Sequence, residues 1–345
     1  MTKRLCPLLA LLLLFSCARP AGYVQVSGQA QGGAYSVKLN LRGVRVPAQT
    51  VRDSIEALLI HIDTTLSGYN ARSQLSRFNA GEPIRPNALF LDMYGLAYSL
   101  WQRSGGAVDC AAGPLFDAWG FGFREGSLPG PEEVERLLGQ GGMGRLPQQL
   151  PLDADGVLDP AVLDFPRLNF NAVAQGYSCD VIARYLYSLG VKDMLVDIGE
   201  IWCDGRNPAG QPWAVGMDRP DDRAEDSVIG DRGFTGVWLS GGGPAGVVTS
   251  GNYRKYYIRD GRKYAHTIDP VSGYPVQHNL LSATVVSARS AAEADAVATW
   301  CMVVGLEEAR RLVLEDPALE GWLVWSAPDG SLQEWGSPGF RLRGQ

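Results

Sequence analysis

The sequence predicts an α+β fold. Three observations carry that prediction: helical periodicity over residues 51–65, a two-residue hairpin signal at Asp260-Gly261, and a helix followed by a buried strand over residues 172–201. Helices, hairpins and strands alternate irregularly along the chain, with no internal repeat, low-complexity tract or long linker.

Residues 51–65, VRDSIEALLIHIDTT, place Ile55, Leu58, Leu59 and Ile62 on one helical face. A second helix is expected over Leu89 to Ser104. Residues 124–160, rich in Gly, Pro and acids, read as a surface excursion with one short helix near 131–139. Ala172 to Leu189 is helical, and Asp193 to Ile201 reads as a buried strand ending in turn residues. The last long helix is expected over 288–313, ARSAAEADAVATWCMVVGLEEARRLV.

The hairpin signal lies in GVVTSGNYRKYYIRDGRKYAHTIDP, residues 246–270. A type I′ turn needs positive φ at both central residues, which Asp-Gly supplies. With Asp260-Gly261 as the turn, Lys255 faces His266 and Asn252 faces Asp269. Thr249-Ser250-Gly251 then meets Pro270-Val271-Ser272. The open end gathers hydroxyls, an amide and a carboxylate. That is either a site or a solvated hairpin end.

The chain opens MTKRLCPLLALLLLFSCARP, with Lys3 and Arg4 before an apolar run too short to span a bilayer. It reads as a secretory signal over residues 1–16. Leu14-Phe15-Ser16-Cys17 resembles a bacterial lipobox, in which a lipidated Cys17 tethers a soluble body, residues 17–345, to a membrane. The other reading is an ordinary cleaved signal with an incidental cysteine. That body, about 330 residues, is long enough for a sizeable core. A net charge of −6 argues against nucleic acid as a partner, because such footprints need clustered Lys and Arg. Past Cys17 stand Cys110, Cys179, Cys203 and Cys301, with no C-x-x-C. A disulfide is possible in an oxidising compartment, but spacing does not pair them, and three histidines leave zinc improbable.

Asp295 and Thr299 are four apart on the last helix, so their oxygens share a face among the small residues Ala294, Ala296 and Ala298. Carboxylate plus hydroxyl suits Mg²⁺ or Ca²⁺; an Asp near a helix start also serves the helix dipole. Gly241 to Gly246 satisfies G-x-G-x-x-G, but a β-like run follows where a dinucleotide fold needs a helix, so it reads as a loop feeding the hairpin.

YAHTIDPVSGYP (264–275), TSGNY (249–253) and AEADAVATWCMVVG (292–305) resemble three signatures of the ApbE-type flavin transferases, the FAD:protein FMN transferases. Further matching segments run in order: GQAQGGAYSVKL (28–39), LSGYNARSQLSRFN (66–79), VDCAAGPLFDAWGFG (108–122), NAVAQGYSCDVIARYL (171–186) and LVDIGEIWCDG (195–205). The resemblance covers nearly the whole body and also implies a lipoprotein N-terminus. It implies mixed or antiparallel sheets flanked by helices, with an FAD site in a cleft. The implied reaction is Mg²⁺-dependent transfer of FMN from FAD to a Thr or Ser hydroxyl of a partner redox protein, releasing AMP. The implied location is the cell envelope, lipid-anchored and facing the periplasm.

By motif position, Asp295, Thr299 and the backbone carbonyl of Ala172 match the family's metal ligands. His266 and Asp269 match its His and Asp beside flavin and pyrophosphate; either of them relays the acceptor's proton, or His266 only donates a hydrogen bond to the cofactor. Tyr35, Tyr69, Ser73, Asp109, Trp119, Gln175, Glu200, Thr249, Ser250 and Ile268 are the expected FAD contacts, with ordinary core packing as the other reading of each aromatic. Three departures stand out. Gln175 replaces a usual Lys, Gly199 alone precedes Glu200 where the family has Gly-Gly, and Gln31-Gly32-Gly33 replaces Met-Gly-Thr. A Mg²⁺-dependent FAD pyrophosphatase and a passive FAD-binding lipoprotein are the rival readings of the same residues.

Overall fold

The computed structural model describes residues 22–121, 128–163, 167–218, 220, 234–252, 256–259, 262–265 and 267–343. Its elements begin with strands β1 (Tyr23–Ala30) and β2 (Gly33–Asn40). Helices α1 (Ala48–Leu66), α2 (Gln74–Asn79), α3 (Ala88–Arg103), α4 (Gly113–Ala118), α5 (Pro131–Gln140) and α6 (Ala174–Ser188) follow. Then come β3 (Met194–Asp197), β4 (Ile201–Asp204), β5 (Ala214–Asp218), β6 (Phe234–Leu239), β7 (Ala245–Gly251), β8 (Tyr256–Arg259), β9 (Arg262–Ala265) and β10 (Leu280–Ser287). Helices α7 (Ala291–Val304) and α8 (Leu306–Glu315) precede β11 (Leu319–Ser326), β12 (Leu332–Gly336) and β13 (Leu342–Arg343).

Eight strands form one antiparallel sheet in the order β1-β2-β3-β4-β7-β10-β11-β12. Side chains alternate faces along a strand, and here both faces are covered, so its central strands read as nearly continuous apolar runs. Val248, Val285 and Leu323 point to the side of α7 and α8. Their neighbours Val247, Val286 and Trp322 point the other way, into a core shared with the small sheet β13-β6-β5. Cys179, Ile182 and Leu186 of α6 pack on Met194 and Val196 of β3. A helical lobe of α1, α2 and α3 closes over Phe78, Phe90 and Phe170, whose rings meet edge to face.

The expected α+β class and the flanking helices are present, and four local expectations need correction. Asp193 to Ile201 is not one strand. Gly199 sits at φ 95°, a left-handed conformation glycine adopts without a Cβ penalty, and there the chain reverses into the antiparallel pair β3-β4. The helix expected over 288–313 is cut at Gly305, φ 83°, into α7 and α8. The hairpin register holds from Tyr256↔Ala265 to Arg259↔Arg262, its turn residues lying outside the described set. Its open end does not close as expected, because Thr249 to Gly251 pair with β10 instead of meeting Pro270 to Ser272. Asn252 accepts a 2.5 Å hydrogen bond from Thr267 rather than facing Asp269. Nor is Gly246 part of a loop; it lies in central strand β7, where a Cβ would come within 2.5 Å of the Ala291 Cα. Cys110, Cys179, Cys203 and Cys301 are all buried free thiols.

Candidate functional site

The site grows from the crossing of α6 and α7. Alanines at 291, 292, 294, 296 and 298 give α7 a slim surface, and Gly176 gives α6 none at all. A Cβ at Gly176 would stand 2.3 Å from the Ala291 carbonyl oxygen, so only glycine permits this approach. The bare Gly176 amide donates to Asp295 Oδ2 at 3.0 Å. In return Asp180, one turn further along α6, accepts from Ala291 N at 2.8 Å and Ala292 N at 2.9 Å. Each helix thus has first-turn donors, which no intrahelical carbonyl can reach, satisfied by a carboxylate of the other.

Asp295 is 5% exposed. Burial pushes its pKa well above the usual carboxylate range, the Gly176 amide counters this, and the charge of Asp180 pushes further upward. Asp180 is itself pushed up to about 6 by burial, against the opposing pull of the two amides. Thr299, half-buried, lies one turn beyond Asp295 on the same face, and Ala172 stands just before α6. The donor set is all oxygen. Among the described residues no Lys or Arg contributes to the environment of the Asp295 carboxylate. No cluster of three or more His, Cys, Asp or Glu side chains suited to a metal occurs among the described residues. A buried carboxylate with no cationic side chain beside it among the described residues fits a hard cation that takes few protein ligands and leaves positions for phosphate or water.

Glu293, also buried, anchors the outer side of α7's first turn. It accepts from Arg103 at 3.0 Å, Arg289 at 2.6 Å and Ser287 at 2.6 Å. Burial raises its pKa, but these bonds outweigh it and hold the carboxyl below its ordinary range.

The expected FAD contacts divide into exposed and structural positions. Tyr69 is 73% exposed, and its hydroxyl accepts from Asn171 Nδ2 at 3.3 Å, beside Ala172. Gln175 donates to the Ile198 carbonyl at 3.3 Å and lies against Gly199, while the Glu200 carbonyl accepts from Cys179 Sγ. Thr249 shares a 2.8 Å hydroxyl bond with Thr284, and Ser250 follows it, half-buried, on the same strand. Tyr35 is core: its ring closes over Gly28 on the paired strand. Ser73 is fully buried and caps α2, accepting from Ser76 N and donating to the Ser67 carbonyl. The Asp109 carboxylate accepts from the amides of Ala111 and Met143, although burial keeps its pKa raised. Burial, and then the charges of Asp109 and Asp295, push the Cys110 thiol up.

A second cluster surrounds residues 267–275. Trp119, buried, donates from Nε1 to the Gly273 carbonyl at 2.8 Å and lies 5.8 Å from the Tyr274 ring. Ile268 is buried and bridged to Pro275, and Asp269 accepts from the amides of Val271 and Ser272. That carboxylate is therefore held in place by its own turn. His266 and Cys17 lie outside the described residues.

Sequence reasoning missed Asp180 and Glu293. Asp180 carries one faint signal, its four-residue spacing from Gly176; Glu293 reads as an ordinary first-turn acid.

The family model described as ApbE matches residues 32–323. A curated relative from Vibrio cholerae named FAD:protein FMN transferase is 32% identical, over 99% of this chain and 98% of its own. Among solved structures, the flavin transferase ApbE of the same species superposes with TM-score 0.74 at 28% identity, covering 92% of this chain and 98% of that one. The apo flavinyl transferase ApbE of Pseudomonas stutzeri gives TM-score 0.75 at 30% identity, over 92% and 95%. A match over most of the length, in sequence and in backbone, places the chain in the ApbE family.

Proposed function

We propose that this protein transfers FMN from FAD to a Thr or Ser hydroxyl of a partner redox protein and releases AMP, with Mg²⁺ held at Asp295, Thr299 and the Ala172 carbonyl. The observation that carries this reading is the buried Asp295 carboxylate, fixed by the Gly176 amide beside Thr299. In the reaction the acceptor oxygen attacks the phosphorus of the FMN half. The bond from that phosphorus to the bridging oxygen breaks, and AMP leaves with the electron pair. The hydroxyl proton passes to a base. Mg²⁺, when bound, neutralises the charge that develops on the pyrophosphate.

The chain's own residues align and enclose. Tyr69 offers an exposed ring for the planar part of FAD. Asp269, held by two amides, offers the carboxylate that takes the proton, with His266 as its partner in that role. Gln175 replaces a cation with a neutral amide, so nucleotide binding here relies less on charge. The relatives' names support FAD as substrate and a protein as acceptor. The N-terminal signal supports a lipid anchor at Cys17 on a membrane, with the body facing the periplasm.

The test mixes residues 18–345 with FAD, Mg²⁺ and a Thr-bearing acceptor domain. The expected result is an acceptor heavier by one FMN, with AMP appearing in step. AMP with an unmodified acceptor would make water the acceptor and the protein a pyrophosphatase. Intact FAD would reduce it to a carrier.

A further inference from the structure

Beyond the ligands themselves, the α6–α7 crossing contains a group with no place among the expected site residues. We infer that Asp180 is the positioning residue of the metal site, an inference that rests on the reading of Asp295 and Thr299 as ligands. Asp180 and Gly176 lie one turn apart on the same face of α6 and grip α7 at two points. Asp180 holds the first-turn amides of Ala291 and Ala292, and Gly176 holds the Asp295 carboxylate. One contact alone would leave α7 free to slide or rotate against the smooth Gly176 surface. Two contacts one turn apart fix both motions, and with them the distance from the Ala172 carbonyl to the Asp295 carboxylate.

The division of labour is chemical. Asp295 meets Gly176 through Oδ2 on the face it shares with Thr299. Both oxygens of Asp180 accept from the first-turn amides of α7, so the role assigned to it is to hold the start of that helix. Ser290 caps the same helix end through its own hydroxyl, which accepts from the Glu293 amide. It therefore supplies a control that weakens α7's start without releasing the clasp.

The test is Mn²⁺ binding to the full chain without FAD, followed by the loss of the free-ion EPR signal, alongside thermal melting. D180N is nearly isosteric and folds with one acceptor retained; D180E keeps the charge and displaces it by a methylene. Both are expected to weaken Mn²⁺ binding about tenfold or more, whereas S290A lowers the melting temperature and binds Mn²⁺ like the wild type. Wild-type affinity in D180E beside a loss in D180N would show that Asp180 acts by charge alone and overturn the inference. Wild-type affinity in both, or an equal loss in S290A, overturns it as well. D295A separates the two levels: if it binds Mn²⁺ as tightly as the wild type, the metal assignment itself is wrong. If D295A loses binding while the Asp180 variants keep it, only the positioning role falls.

Discussion

The backbone amide of Gly176 and the carboxylate of Asp295 meet at 3.0 Å across two helices that touch nearly backbone to backbone. A residue without a side chain thereby orients the residue assigned to the metal. The absent Cβ is a functional feature, because any side chain there would separate donor from acceptor.

Gly176→Ala tests that statement most directly. Its new Cβ would need space held by the Ala291 carbonyl, which is backbone and has no rotamer to yield. The expected cost is about 3 kcal/mol or more in denaturant unfolding, together with loss of FMN transfer. An alanine variant with wild-type stability would show that the two helices can part without consequence.

Asp295→Asn should separate activity from stability. The amide side chain keeps an acceptor for Gly176 and removes a buried charge, so melting in metal-free, mildly alkaline buffer should be unchanged or raised. AMP release should fall by about two orders of magnitude or more. A variant that melts early and still turns over FAD would contradict both halves.

Asp180 gives the protein a pH-dependent term. Its folded pKa of about 6 lies above the unfolded carboxyl value, so protonation favours the folded state. The contribution is complete below about pH 4 and is lost as pH rises through about 6. Wild-type stability measured against D180N should therefore fall by a few kcal/mol, on the order of 2 to 3, across that window. A difference that stays flat with pH would remove the burial argument.

Trp119→Phe keeps most of the ring and deletes the bond to Gly273, leaving a buried carbonyl short of its donor. A loss of about 1 to 2 kcal/mol is expected, with faster amide exchange confined to residues 267–275. Unchanged exchange there would mean that the Asp269 turn holds itself.

Much of this was legible in the sequence where information is local. The Asp260-Gly261 turn predicts the β8-β9 register as found, since turn chemistry fixes pairing nearby. A few residues outward the prediction fails, because β7 is claimed by β10, a partner that no short-range rule reveals. Gly199 and Gly305 each break an element whose hydrophobic pattern runs on unbroken. Asp295 and Thr299 are readable from helical spacing, and the FAD set only from resemblance to a family. Within that set, Tyr35 and Ser73 turn out to be occupied by packing and capping. Beyond its spacing from Gly176, Asp180 has no signal in one dimension, because its partners lie 111 and 112 residues away.

The pairing of β2 with β3, Ser36 opposite Asp197, closes a loop that contains every helix from α1 to α6. The Gly176–Asp295 contact closes another of 119 residues. Loop closure on this scale precedes any reward from the contacts it brings together, so such pairings form late. A chain still emerging, or one cut before α7, has no second helix for α6 to grip. Assembly of the corner assigned to the metal is thus coupled to synthesis through α7. An unfinished molecule of this protein would be unable to begin consuming the cell's flavin.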